Sequence, residues 1–286
     1  MDSKIIRLYD EYTHKPLNRK DFITKMIQLT GSITTAMSMI SLLENNNERT
    51  ITKETEAGLF TESVEWTAEG GQMRGYLARP EKMAKYPGVI IIHENRGLNE
   101  HIKDVTRRAA LAGFVACAPD GLSQLGGTPA NADEARALFS KLDSAQNTKN
   151  FSSAVKYLNM RSDCNGNTGC VGFCWGGAMA NQLAIHAENL KGAVAFYGKQ
   201  AAKEDVIKIK CPVQLHYAEK DERINAGMAE YEAELKAQNK AYEQYFYQGV
   251  DHAFHNNTSE ARYNAEAANL AWERTLSFLN KHLVKK

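Results

Sequence analysis

The chain has 286 residues, 43% of them hydrophobic and 24% charged, with a formal net charge of +1. That length holds one large α/β domain with an appendage, or two small domains, and the composition is ordinary for a soluble globule. The near-neutral balance excludes the charge signature of a nucleic-acid or anionic-membrane binder, and no stretch is apolar enough for a membrane span.

Residues 1–50 differ from the rest. Ile5 to Tyr12 has a short helical pattern closed near Pro16, and Asn18, with Asp21 three residues on, is an N-cap for a long segment from Phe22 to Leu43. Two readings compete for that segment. Asn18-Arg19-Lys20-Asp21-Phe22-Ile23 resembles a twin-arginine export signal followed by a weakly apolar stretch, which would place the protein in the periplasm. Against it, Lys20 stands where a second Arg belongs, and no small-x-small cleavage site follows. The other reading is a helical arm packed on the remaining domain, residues 51–286, of a cytoplasmic protein. Asn45-Asn46-Asn47-Glu48 marks the linker.

From Thr61 the pattern turns to strands. Ser63-Val64-Glu65-Trp66 alternates, Glu69-Gly70-Gly71 turns, and Met73 to Leu77 alternates back, an antiparallel hairpin at a sheet edge ended by Pro80. Gly88 to His93 is apolar without alternation, as a strand covered on both faces should be. A helix from Glu100 to Ala112, closed by Gly113, leads to a strand over Phe114 to Ala118. Asn131 caps a helix through Leu142, and Asn150 to Met160 is a second helical pattern. Further strands are expected at Gly192–Tyr197, Val213–Tyr217 and Tyr242–Tyr247. Helices are expected at Ala226–Ala237 and Asn264–Leu283. Strands alternating with helices imply a mostly parallel sheet with helices on both faces, whose ligands sit beyond the carboxyl ends of the strands.

The most informative stretch is Cys170-Val171-Gly172-Phe173-Cys174-Trp175-Gly176-Gly177, between an apolar run and an Ala-rich helical pattern. It reads as strand, sharp turn, helix: the nucleophile elbow of α/β-hydrolases with Cys in place of Ser. Such a turn leaves no room for neighbouring Cβ atoms, and Gly172 and Gly176 have none. The apex sits at a helix N-terminus, which favours a thiolate and can hold an oxyanion. The sulfur is therefore expected to face solvent at a tight bend. The other cysteines (Cys117, Cys164, Cys170, Cys211) form neither a disulfide framework nor a Cys-x-x-Cys pair and are read as free.

A thiol nucleophile needs a base and a group to orient it, in the chain order acid then His. Asp221, after the strand at Val213, and His252, after the strand at Tyr242, fit that order. Glu219 or Glu222 could replace Asp221. Asp251 could be a loop residue only, and His255 lies close to His252. The loop His93-Glu94-Asn95-Arg96-Gly97-Leu98-Asn99 follows the first buried strand, where the second oxyanion donor belongs. That assigns the N–H groups of Asn95 and Trp175 as donors. Glu94 and Arg96 are otherwise a surface ion pair.

Taken together, Gly172-Phe173-Cys174-Trp175-Gly176-Gly177, Glu94-Asn95-Arg96-Gly97-Leu98-Asn99, Ala118-Pro119-Asp120-Gly121 and Asp251-His252-Ala253-Phe254 resemble dienelactone hydrolases (carboxymethylenebutenolidases), over about residues 60–283 and in the same order. The resemblance is closest to a bacterial branch that carries an N-terminal arm. It implies an α/β-hydrolase fold and a Cys174-His252-Asp221 triad. It also implies that Glu94 holds the resting thiol until substrate releases it to His252. Arginines bind the substrate carboxylate in that family, which makes Arg136 a substrate-binding candidate, with Arg96 and Trp175 beside the nucleophile. The chain departs from the family in Ala253, where Ser is frequent, and in the bulk of Trp175. The function expected is hydrolysis of esters or lactones through a thioester, with a small molecule as partner and no metal or organic cofactor. A non-catalytic acyl-binding or thiol-sensing protein, a housekeeping thioesterase, and a homodimer all stay open.

Overall fold

The computed structural model describes residues 1–15, 17–44 and 46–284; Pro16 and Asn45, read above as a helix closure and the start of a linker, lie outside them. The arm is three helices, α1 (Ser3–His14), α2 (Arg19–Thr30) and α3 (Ile33–Leu43). Each start is capped by a side chain: Asp2 accepts from Lys4 N–H, Asn18 from Asp21 N–H and Ser32 from Thr35 N–H. The segment from Phe22 to Leu43 is broken at Gly31, which closes α2 at φ 78°, and at Ser32, which opens α3. The two helical segments are bent by 114° at that break, and no single helix among the described residues is long and apolar enough to cross a membrane.

The arm has its own core. Tyr9, Tyr12, Phe22, Met26, Ile40 and Leu43 are buried together, with the Tyr12 and Phe22 rings stacked at 4.2 Å. Ala261 packs against this cluster. Main-chain groups tie the arm's end down: Leu42 C=O accepts from Ala261 N–H at 3.0 Å, and Leu43 C=O from Ser259 Oγ at 2.8 Å.

After the arm come β1 (Leu59–Ala68), β2 (Gly71–Pro80), β3 (Tyr86–Ile92), α4 (Glu100–Leu111), β4 (Val115–Pro119), α5 (Ala132–Phe139) and α6 (Ser144–Met160). Next are β5 (Cys164–Phe173), α7 (Trp175–His186), β6 (Leu190–Phe196), β7 (Val213–Ala218), α8 (Glu222–Asn225), α9 (Met228–Ala237), β8 (Tyr242–Tyr247) and α10 (Ala265–Leu283). One eight-stranded sheet runs β1-β2-β4-β3-β5-β6-β7-β8. The hairpin β1–β2 sits at the edge and pairs antiparallel with β4, and all later neighbours are parallel. This is the α/β-hydrolase-type architecture expected. Buried clusters cover both faces: Phe151, Leu158, Leu183 and Leu235 on one, Ile102, Phe114, Phe254 and Leu279 on the other.

Some boundaries differ from the sequence reading. Helix α5 stops at Phe139, and α6 starts at Ser144 because Asp143 caps it by accepting from Gln146 N–H. The helix expected at Ala226–Ala237 is α9, which starts at Met228, and a short helix the sequence reading did not include, α8, precedes it, capped by Asp221 accepting from Ile224 N–H. For the site, the important feature is that β3 lies between β4 and β5. The chain leaves β3 to one side and returns on the other, which opens a crevice at the carboxyl ends of the strands.

Candidate active site

Cys174 stands between β5 and α7 at φ 54° and ψ −111°, a backbone that a residue with a Cβ rarely adopts. The turn is tight enough that a Cβ on Gly172 would lie 1.8 Å from Gly176 C=O. One on Gly176 would lie 2.3 Å from Ile92 C=O. Backbone on both sides cannot yield, so glycine is required at both places. Trp175 begins α7, so its N–H is among those left without a partner inside the helix. Asn95 follows β3, the neighbour of β5, and its side chain donates to Thr13 C=O at 2.7 Å.

The loops after β7 and β8 bring Asp221 and His252 together. His252 Nδ1 donates to Asp221 Oδ2 at 2.5 Å, with both side chains buried. The rival residues are otherwise engaged. Glu219 accepts from Gly249 N–H at 2.7 Å, Glu222 pairs with Arg7 at the surface, and Asp251 lies 3.7 Å from Lys220. His255 is buried against Phe173, where burial holds it neutral.

His252 Nε2 is buried with no hydrogen-bond partner among the described residues, and the His252 ring reaches within 4.8 Å of Cys174 Sγ. The sulfur is bonded instead to a residue of the arm, His14, whose Nε2 is 3.2 Å away. His14 Nδ1 lies 2.9 Å from Asp10 C=O and 3.1 Å from Asp10 Oδ1. A carbonyl only accepts, so Nδ1 carries a proton and Nε2 exchanges one with the sulfur. Two imidazoles thus flank one thiol, His252 held by the Asp221 carboxylate and His14 by the Asp10 main-chain carbonyl with the Asp10 carboxylate close by. The sulfur does not face open solvent as expected: Cys174 is 7% exposed, because Thr13 and His14 roof the site. It lines the floor of a cleft of about 720 Å³, with Asn95, Arg136, Phe139, Trp175 and Tyr197 among the walls.

The electrostatics follow from this packing. Burial alone would raise the Cys174 thiol, but the two imidazoles bring it down to about 6. Burial opposes charge on His14, yet the sulfur and Asp10 hold its proton up to about 9. Burial likewise opposes charge on His252, and Asp221 together with the sulfur raises it. His14 Nε2, Cys174 Sγ and His252 Nε2 are also donor types that suit a thiophilic cation.

Three other candidates lie around the sulfur but are held by partners the sequence did not suggest. Glu94 Oε2 accepts from Asn256 Nδ2 at 2.8 Å, so the carboxylate is turned to Asn256 while the thiol is held by His14. Arg96 does not pair with Glu94 among the described residues; it donates to Tyr9 Oη at 3.0 Å. Arg136 donates to Tyr12 C=O and sits 4.2 Å over the Tyr12 ring, at the cleft wall. Both arginines are thus engaged by the arm. Trp175 stacks on His93 at 5.4 Å and meets Phe139 edge-on. His14 was missed from sequence. The available signal was Asp10 and His14 four residues apart on a helix whose other face is Ile5, Ile6, Tyr9 and Tyr12.

The family model described as "Dienelactone hydrolase family" matches residues 73–283. The chain is 32% identical to "Probable 2-oxo-3-(5-oxofuran-2-ylidene)propanoate lactonase" of Bradyrhizobium sp, over 79% of this chain and 97% of that one. It is 33% identical to "Putative carboxymethylenebutenolidase" of Saccharolobus solfataricus, over 76% and 96%. Among solved structures, "Putative Dienelactone Hydrolase" from Klebsiella pneumoniae superposes with a TM-score of 0.72 at 28% identity, over 78% and 99%. The first part of the chain, with His14, lies outside the family match.

Proposed function

Because the chain belongs to the dienelactone hydrolase family, and so to a family of lactone and ester hydrolases, we propose that it cleaves carboxylic esters or lactones with Cys174 as nucleophile, through a thioester acyl-enzyme. One observation carries the reading: a cysteine at a glycine-framed elbow, low in pKa, with a buried His252–Asp221 pair whose Nε2 has no hydrogen-bond partner among the described residues and whose ring reaches within 4.8 Å of the sulfur. Apo geometry of this kind tightens when substrate binds. In this reading residues 51–286 are the catalytic domain and residues 1–50 a helical arm completing its cleft.

The thiolate adds to the carbonyl carbon, and the developing oxyanion is held by the N–H groups of Trp175 and Asn95, worth about 3 kcal/mol per donor. As the C–O bond breaks, His252 Nε2 gives its proton to the leaving oxygen. Neutral His252 then takes a proton from water, hydroxide adds to the thioester, and the C–S bond breaks to return the thiolate. Asp221 keeps the His252 ring aligned through Nδ1. The aromatic wall of Trp175 and Phe139 suits a planar, unsaturated acyl group, the class named in the relatives' lactone substrates.

Hydrolysis of p-nitrophenyl acetate and of a dienelactone by wild type and Cys174→Ala tests this. Steady turnover that falls by at least about 10³-fold in the variant is expected. Equal rates end the assignment, and a single stoichiometric burst without turnover favours acyl binding instead.

A further inference from the structure

We propose that His14 of the N-terminal arm is a catalytic residue: as an imidazolium bonded to Cys174 Sγ, it generates the thiolate at rest and receives it again when the thioester breaks. The inference rests on the hydrolase reading above and adds a second histidine to it.

The geometry separates the two imidazoles. His14 Nε2 is at hydrogen-bond distance from the sulfur, whereas His252 Nε2 has no hydrogen-bond partner among the described residues. His14 is oriented through Nδ1 by the Asp10 C=O at 2.9 Å, with the Asp10 carboxylate 3.1 Å away, whereas His252 is oriented by the Asp221 carboxylate itself. Its position is fixed by more than its own helix. The adjacent Thr13 C=O accepts from Asn95, the Tyr12 C=O accepts from Arg136, and Arg223 of α8 faces Asp10 at 3.9 Å. An imidazole positioned this well beside a thiol is a proton acceptor in waiting.

The proton balance then closes. At rest, the Cys174 proton is on His14 and the sulfur carries the charge. On attack, the C–S bond forms and the carbonyl π pair moves to oxygen. When the C–O bond breaks, the leaving oxygen takes its proton from His252, not from His14. In deacylation His252 accepts a proton from water, hydroxide forms the new C–O bond, and the C–S electron pair returns to sulfur beside the His14 cation. The carboxylic acid product gives its proton to solvent. His14 ends as it began, and one histidine no longer has both to ionise the thiol and to shuttle protons.

The charged and titratable groups facing the sulfur are His14 and Asp10 from α1, His252 and Asp221 from the loops after β8 and β7, and Tyr197 after β6. Glu94 faces Tyr197, and Arg223 faces Asp10.

The test is the pH dependence of Cys174 alkylation by iodoacetamide, with Cys174→Ala as background. It reads the thiolate without requiring turnover, so it fails or succeeds independently of ester hydrolysis. Wild type should show an inflection near 6. His14→Gln should move it up by more than one pH unit and slow alkylation at pH 7 by about tenfold or more. His252→Gln should keep fast alkylation at pH 7 while losing turnover. Asp10→Asn, which keeps the arm's shape, should move the inflection the same way as His14→Gln by a smaller amount, and it carries the test if His14→Gln does not fold. An inflection unmoved in both arm variants, or one lost in His252→Gln but not in His14→Gln, overturns the proposal. Restoration of fast alkylation in His14→Gly by added imidazole supports it, since a merely structural histidine is not replaced by a small base in solution.

Discussion

At φ 54° Cys174 occupies backbone space that costs a residue with a Cβ about 1–3 kcal/mol. The cost is sustained by the surroundings: Cys174 N–H donates to Phe196 C=O at 3.0 Å, and Ala178 N–H donates to Cys174 C=O at 3.1 Å. The elbow is held by the sheet on one side and the first turn of α7 on the other. A glycine in that position escapes the steric cost, although it loses more entropy on folding. Cys174→Gly is therefore expected to be more stable than Cys174→Ala by about 1 kcal/mol, both being inactive. Chemical denaturation of the two variants measures this directly. An alanine variant as stable as the glycine one would show that the bend is relaxed.

The arm helices act on the site as a unit. Phe22 touches neither the sulfur nor the cleft, yet it is fully buried between Tyr9 and Tyr12, and the next residue but one after Tyr12 is His14. Phe22→Ala removes this packing at a cost of about 3–5 kcal/mol, enough to loosen α1 against α2. The expected result is a lower melting temperature together with a Cys174 alkylation inflection moved toward higher pH. A lower melting temperature with the inflection unchanged would mean that α1 stays seated without its core. Much of the rest was legible in the residues. The hairpin at Glu69-Gly71, the unbroken apolar run of β3 and the glycine frame of Cys174 are local signals, each set by neighbours in sequence. The break at Gly31-Ser32 was equally local, a C-terminal glycine followed by an N-capping serine, but the run of uncharged residues obscured it. His14 was not legible, because the partner that gives it meaning is 160 residues away and only the docked arm brings the two together. Separations of 87 and 124 residues likewise hid the capture of Arg96 and Arg136 by Tyr9 and Tyr12.

Across the whole molecule, histidine burial sets the response to acid. His101 and His216 are sealed in the core, and burial lowers them to about 4 and about 3. Burial also lowers His93 and His255. Each is neutral in the folded chain and binds a proton near the ordinary value of 6.5 once unfolded. The unfolded state then holds more protons below pH 6.5, so the stability these groups contribute is complete above 6.5. It is lost as pH falls toward 4 and 3, at up to about 1.4 kcal/mol per histidine per pH unit. The site itself does not oppose this. His14, raised to about 9, loses its contribution as pH rises from 6.5, while Cys174, lowered to about 6, loses its contribution as pH falls from 9. Folded and unfolded chains therefore carry nearly the same number of protons on that pair from pH 6.5 to 9, and the two trends cancel. His252, raised well above its ordinary value by Asp221 and the sulfur against the effect of burial, has no such counterweight and loses its contribution as pH rises above 6.5. The expected stability curve therefore peaks near pH 6.5, declines above it, and drops by several kcal/mol between pH 6.5 and 5. Urea unfolding at half-unit pH steps measures it. A level curve down to pH 5 would mean that the buried imidazoles accept protons in the folded chain, and with them that the layer beneath the site admits water.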